Sequence, residues 1–127
     1  MYFVPEETDY FADAVGVHGL KRLANFAALP AGWDGRHGAP LNQASVDAAK
    51  KFFAEKKLTP SKAGVFMSVE GNLVVSWEDA AGQLVELEFE PERVTGFVQA
   101  TELEIDVAYD QDDEQAKLGE ALAEHIV

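Results

Sequence analysis

The stretch Val65-Phe66-Met67-Ser68-Val69-Glu70-Gly71-Asn72-Leu73-Val74-Val75-Ser76-Trp77 settles the fold class of this chain. Val65, Met67 and Val69 alternate with Phe66 and Ser68, the period of a strand with one buried face. Glu70-Gly71-Asn72 supplies a hairpin turn, and Leu73, Val75 and Trp77 resume the alternation on a second strand. Asp79-Ala80-Ala81-Gly82 ends it. A third strand runs from Gln83 to Glu90 and stops at Pro91. Val94 to Ala100 is a weaker strand, interrupted by Gly96, and Glu102 to Tyr109 alternates cleanly again. Alternating runs joined by short turns predict an antiparallel meander of four to five strands.

Upstream, the period changes from strand to helix. Leu20, Leu23, Ala24, Phe26 and Ala27 recur at spacings of three and four between Gly19 and Leu29, with Pro30 as a stop. A start as early as Asp9 stays open, because Gly16 and Gly19 both weaken a helix interior. A second helix opens at the N-cap Asn42 and closes before Pro60. It shows Val46, Ala49 and Phe53 on one face and Lys50, Lys51, Lys56 and Lys57 largely on the others. Between the two lies a glycine-rich loop, Gly32-Trp33-Asp34-Gly35-Arg36-His37-Gly38-Ala39-Pro40. Downstream, Leu118, Ala121, Leu122 and Ile126 space helically behind Asp112, Asp113 and Glu114, which suit the positive end of a helix dipole. No repeat or linker divides the chain. The expectation is one α+β domain over 1–127, with two N-terminal helices, the sheet and a C-terminal helix.

A length of 127 residues with 47% apolar side chains is enough to build a hydrophobic core. Absence of cysteine excludes disulfides, thiolate metal sites and a cysteine nucleophile. The start Met1-Tyr2-Phe3-Val4-Pro5 lacks the basic and apolar regions of a signal peptide, and no apolar run reaches the ~20 residues of a membrane span. These features predict a cytoplasmic protein without membrane contact.

Charge is segregated along the chain. Residues 1–60 hold seven Lys/Arg and seven Asp/Glu, so the whole net charge of −13 falls on residues 61–127. Two strands concentrate it: Glu86, Glu88 and Glu90 alternate with Val85, Leu87 and Phe89, and Glu102, Glu104 and Asp106 alternate with Leu103, Ile105 and Val107. Alternate residues on a strand lie about 6.8 Å apart, so each strand carries a regular row of carboxylates backed by an apolar face. A solvated sheet face accounts for such rows as simply as a binding surface does. Rows of one sign, unlike scattered charges of both, also complement a cationic partner.

Signals for catalysis are weak. His18, His37 and His125 form no helical metal pair. Asp34 and His37 share a loop and could act as acid and base, but aspartate in such a loop ordinarily fixes the turn through backbone N–H groups. Trp33, Asp34 and Gly35 are therefore read as structural, with Trp33 a plug that anchors the loop to the core. Asp106, Asp110, Asp112, Asp113 and Glu114 fail the EF-hand pattern, with Gln115 and Ala121 where its glycine and closing glutamate belong. No phosphate-binding glycine loop and no Gly-x-Ser-x-Gly are present. No catalytic residue, metal or cofactor is expected.

The run Leu29-Pro30-Ala31-Gly32-Trp33-Asp34-Gly35 with Gly38-Ala39-Pro40 resembles a set of small uncharacterised bacterial and phage-borne proteins, the likeness extending more loosely over residues 20–98. It implies a Gly-Trp-Asp-Gly turn joining two helices ahead of a meander, and no activity. By size and charge only, the chain is similar to phage-encoded inhibitors of bacterial defence, including anti-CRISPR proteins and DNA mimics. The leading expectation is a non-enzymatic module whose Glu86, Glu88, Glu90, Glu102, Glu104 and Asp106 meet a basic surface of a bacterial protein or nucleoprotein complex. Direct nucleic-acid binding is not expected, because the net charge opposes it. The alternatives are a structural or self-association domain, such as a homodimer, that pairs its lysine helix with its acidic sheet, and an enzyme using Asp34 and His37.

Overall fold

A computed structural model describes residues 9–126. Its elements are α1 (Tyr10–Ala27), α2 (Gln43–Lys56), β1 (Gly64–Met67), β2 (Leu73–Glu78), β3 (Leu84–Phe89), β4 (Arg93–Val98), β5 (Leu103–Ala108) and α3 (Asp112–Ala123). The strands form one sheet in the order β1-β2-β3-β4-β5, each antiparallel to its neighbour. This is the α+β meander with helices at both ends that the periodicity predicts.

One face of the sheet is the core. Leu73, Val75 and Trp77 line up with Val85, Leu87 and Phe89, followed by Val94, Val98 and Ile105, all buried. Phe11 and Ala14 of α1, Ala49, Phe52 and Phe53 of α2, and Leu118 and Leu122 of α3 close over that face. Phe53 sits at the centre, edge-on to Phe11 at 5.7 Å and to Trp77 at 6.2 Å between ring centroids. All three helices cover this side; on the other side no helix lies over β2 to β5, and only at β1 does Arg22 of α1 reach over Phe66.

Helix α1 begins earlier than the apolar spacing from Gly19 alone suggests. Asp9 caps it, its Oδ1 accepting the Ala12 N–H at 2.9 Å. The helix breaks at Gly16, whose φ of 69° and ψ of −176° form a combination open essentially to glycine. With the helical ladder interrupted, the Ala14 carbonyl accepts the Ala63 N–H at 3.0 Å and ties the helix to the start of β1.

Strand ends also shift. β3 stops at Phe89 because the Glu90 N–H donates to the Arg93 carbonyl at 2.9 Å, closing a tight turn over Pro91-Glu92. β4 is not interrupted by Gly96: the strand passes straight through it, and a Cβ there would collide with the Glu86 carbonyl. Ala100 lies in a 3-10 turn, Gln99–Thr101, and Glu102 follows with a left-handed φ of 54°, so β5 starts only at Leu103. β1 ends at Met67, and Val69 lies in the connection, where its carbonyl accepts the Ala39 N–H at 2.8 Å.

α2 is seated on the sheet by a buried serine. The Ser45 hydroxyl donates to the Phe89 carbonyl and accepts the Leu73 N–H at 2.7 Å, standing between two groups that face each other in the β2–β3 register. At the far end, the Trp77 indole N–H donates to the His125 carbonyl at 3.0 Å, fastening the segment after α3. No helix among the described residues is long and apolar enough to cross a membrane.

Candidate functional site

The helix-free face of the sheet is built from the residues that alternate with the core. Register places Val74, Glu88, Thr95 and Asp106 in one row across β2 to β5, and Ser76, Glu86, Phe97 and Glu104 in the next. Four carboxylates therefore occupy one surface. Along each strand they stand about 6.8 Å apart, and β3 and β5 are two strand spacings apart, roughly 9.6 Å. Phe97 and Thr95, half-buried, lie between the two acidic pairs.

Two of the four carboxylates have partners from the chain itself. The Asn72 side-chain amide donates to Glu88 Oε2 at 3.0 Å, and Arg93 Nη1 lies 2.8 Å from Asp106 Oδ1. The Arg93–Asp106 pair is exposed, so it leaves most of the field in place. Glu86 and Glu104, flanking Phe97, make no hydrogen bond or ion pair among the described residues. None of the four carboxylates pairs with a lysine among the described residues: in α2, Lys51 pairs with Glu55 on its own helix at 3.7 Å, and Lys56 lies over the Phe52 ring at 4.4 Å.

Glu90 and Glu102 do not join this surface through strand pairing. Glu90 sits in the β3–β4 turn, and its backbone carbonyl accepts the Tyr109 hydroxyl at 2.7 Å. Burial, and secondarily the Glu90 carboxylate, raise the pKa of that phenol above its ordinary value. Glu102 occupies the left-handed end of the β4–β5 turn. Both were expected on strands; β3 ends one residue before Glu90, which still bonds Arg93 across the hairpin, and β5 begins one residue after Glu102.

The glycine-rich loop is held by its aspartate. Asp34 Oδ1 accepts the backbone N–H groups of Arg36 at 2.9 Å and Gly38 at 2.7 Å, and these bonds lower its pKa. His37 is exposed and forms no hydrogen bond with Asp34. Trp33 differs from the expected core plug. Its indole N–H donates to the Ala39 carbonyl at 2.7 Å, and the half-buried ring packs over Gly38, so it closes the loop on itself. Trp33 is not among the side chains packed in or against the core.

Two further clusters escape the sequence reading. Asp79 Oδ1 accepts from Ala81 and Gln83 N–H, each at 2.9 Å, while its Oδ2 lies 3.3 Å from His125 Nδ1. The Gln83 and Ala81 bonds, with His125 adding less, lower the Asp79 pKa. Between α2 and α3, Lys56, Tyr109, Asp112 and Gln115 line an open groove of about 480 Å³. Burial lowers the Lys56 pKa there. The Tyr109 hydroxyl and the Gln115 amide are both spent on backbone carbonyls, which fixes the groove as a helix junction. Among the described residues, no three His, Asp or Glu side chains converge as a metal ligand set.

No family model matches the chain, and no curated protein or solved structure matches it. The functional reading rests on this geometry.

Proposed function

We propose that the chain is a non-enzymatic protein-binding module that works in the cytoplasm and engages a cationic partner with the helix-free face of its sheet. The observation that carries this reading is the grouping of Glu86, Glu88, Glu104 and Asp106 on one surface, none of them paired with a lysine among the described residues. Such a surface accelerates encounter with a positive partner and rejects a negative one. Phe97, half-exposed between the carboxylates, supplies an apolar contact at the centre, where charge alone would give little complementarity. In its narrower form the partner is a basic, nucleic-acid-binding surface of a bacterial complex that the module blocks. Small size and segregated charge support that form.

Reversing Glu86, Glu88 and Glu104 to Lys tests the reading. Cationic proteins retained by the immobilised wild-type chain at low salt should be lost, with the far-ultraviolet circular dichroism spectrum unchanged. Retention by the folded triple variant would rule the face out.

A further inference from the structure

The two edges of the sheet are finished differently, and the unfinished one adjoins the acidic face. We propose that β5 accepts an extended Lys- or Arg-bearing segment of the cationic partner as a sixth strand. This deepens, and rests on, the reading of the outer face as the partner surface.

Backbone phase comes first. The Tyr109 N–H donates to the Glu92 carbonyl at 3.2 Å, so in the antiparallel register Val107, Ile105 and Leu103 are the β5 residues bonded to β4. Glu104, Asp106 and Ala108 then turn their N–H and C=O groups away from the sheet. The Ala108 carbonyl is occupied, accepting from the Gln111 N–H at 3.2 Å and the Gln115 amide at 3.1 Å. The outward backbone groups of Glu104 and Asp106 have no partner among the described residues. An edge left in this state is a template for strand addition.

Side chains specify the occupant. On the helix side, Leu103, Ile105, Val107, Leu118 and Ala121 line a groove of about 360 Å³ along β5, whose rim on α3 is the Glu114–Lys117 ion pair, internally neutralised at 3.9 Å. Leu103 is 38% exposed at its mouth. On the other side, the same stretch presents the exposed carboxylates of Glu104 and Asp106. An added strand points successive side chains to opposite faces, so the fitting segment alternates apolar residues, set into the groove, with cationic ones beside Glu104 and Asp106. A second copy of this chain is the wrong occupant. Pairing β5 with β5 antiparallel would bring acidic rows together, and like charges across a sheet repel.

The test uses the full chain, labelled for amide NMR, and two capped peptides of alternating lysine and valine. One is unmodified; the other carries a methyl group on every backbone nitrogen, keeping its side chains but donating no main-chain hydrogen bond. The unmodified peptide should shift the Glu104 and Asp106 amides and slow their hydrogen exchange. The methylated peptide should bind roughly tenfold more weakly or worse, the scale of a few lost main-chain bonds. Equal binding of the two, or shifts confined to Glu86 and Glu88, would overturn strand addition while leaving the acidic face as the surface. Failure of both peptides to bind would also overturn it, and the charge-reversal experiment would then judge the face separately. Self-association of the chain through β5 in sedimentation would overturn the choice of occupant.

Discussion

At the β1 edge of the sheet α1 ties down outward backbone groups of Ala63 and Val65; at the β5 edge those of Glu104 and Asp106 are left without a partner among the described residues. The Ser68 N–H donates to the Asn72 carbonyl at 2.9 Å, which sets the register phase so that Ala63 and Val65 face outward from β2. Ala63 N–H goes to the Ala14 carbonyl, and the Val65 carbonyl accepts Arg22 Nε at 2.6 Å. The Arg22 guanidinium is also stacked between Phe26 and Phe66, 5.1 and 5.0 Å from their ring centroids. β5 has no such cover over Glu104 and Asp106. One sheet thus holds an edge held by α1 and an acidic edge that no helix bonds over Glu104 and Asp106. The difference teaches that the acidic composition of the second half is only part of the design; the helices are placed to guard one edge and leave the other.

Breaking the seal should be costly. Gly16→Ala forces a side chain into a backbone conformation that penalises it by about 1–3 kcal/mol, and it also disturbs the Ala14–Ala63 bond. Urea unfolding should show that loss, together with faster exchange of the Ala63 amide. A loss smaller than about 0.5 kcal/mol, the scale of a neutral surface change, would mean the break is not needed. Arg22→Ala should cost about 1–2 kcal/mol through the carbonyl bond and the ring stacking. It should also make the chain prone to self-associate through β1. Arg22→Lys keeps the charge but lacks the planar donor, and should rescue only part of the loss.

Acid titration probes two turns held by aspartate, the α1–α2 loop and the β2–β3 turn. Asp34 and Asp79 both have lowered folded-state pKa values, chiefly from backbone N–H donors. Their contribution is complete above the unfolded carboxyl value of about 3.9 and is lost as pH falls from there through the lower folded values. The stability difference between wild type and Asp34→Asn/Asp79→Asn should therefore be constant near neutrality and shrink below about pH 4. A difference that persists unchanged into strong acid would contradict the bonding described. At β5 the expectation is the reverse of the seal. Glu104→Lys should leave stability within about 0.5 kcal/mol of wild type, because the exposed side chain has no partner to lose. A large loss would show that β5 is guarded after all.

Much of this was legible in the sequence, and the exceptions have physical causes. Period-two alternation fixed the core face of β2, β3 and β5, and Asn42 marked the start of α2. Turn geometry decided the ends. Glu90 and Glu102 continue their rows by alternation, but a tight turn claims one and a left-handed turn residue is the other. Gly96 reads as a weak point until the Glu86 carbonyl beneath it is seen, and Gly16 hides a deliberate break inside a longer helix. Ser45 gives no sequence signal, since its role depends on two strand ends brought together from far along the chain. The paired rows on one face needed the register of β3, β4 and β5, which no single strand contains.

Net charge and surface placement can be separated directly. Glu86→Lys/Glu104→Lys and Asp113→Lys/Glu120→Lys change the net charge equally, but the first pair lies on the helix-free face and the second is exposed on α3. Affinity for a cationic protein captured by the wild-type chain should collapse in the sheet variant and survive in the helix variant. Equal loss in both would show that the chain attracts its partner by bulk charge, and that the surface proposed for it has no special part.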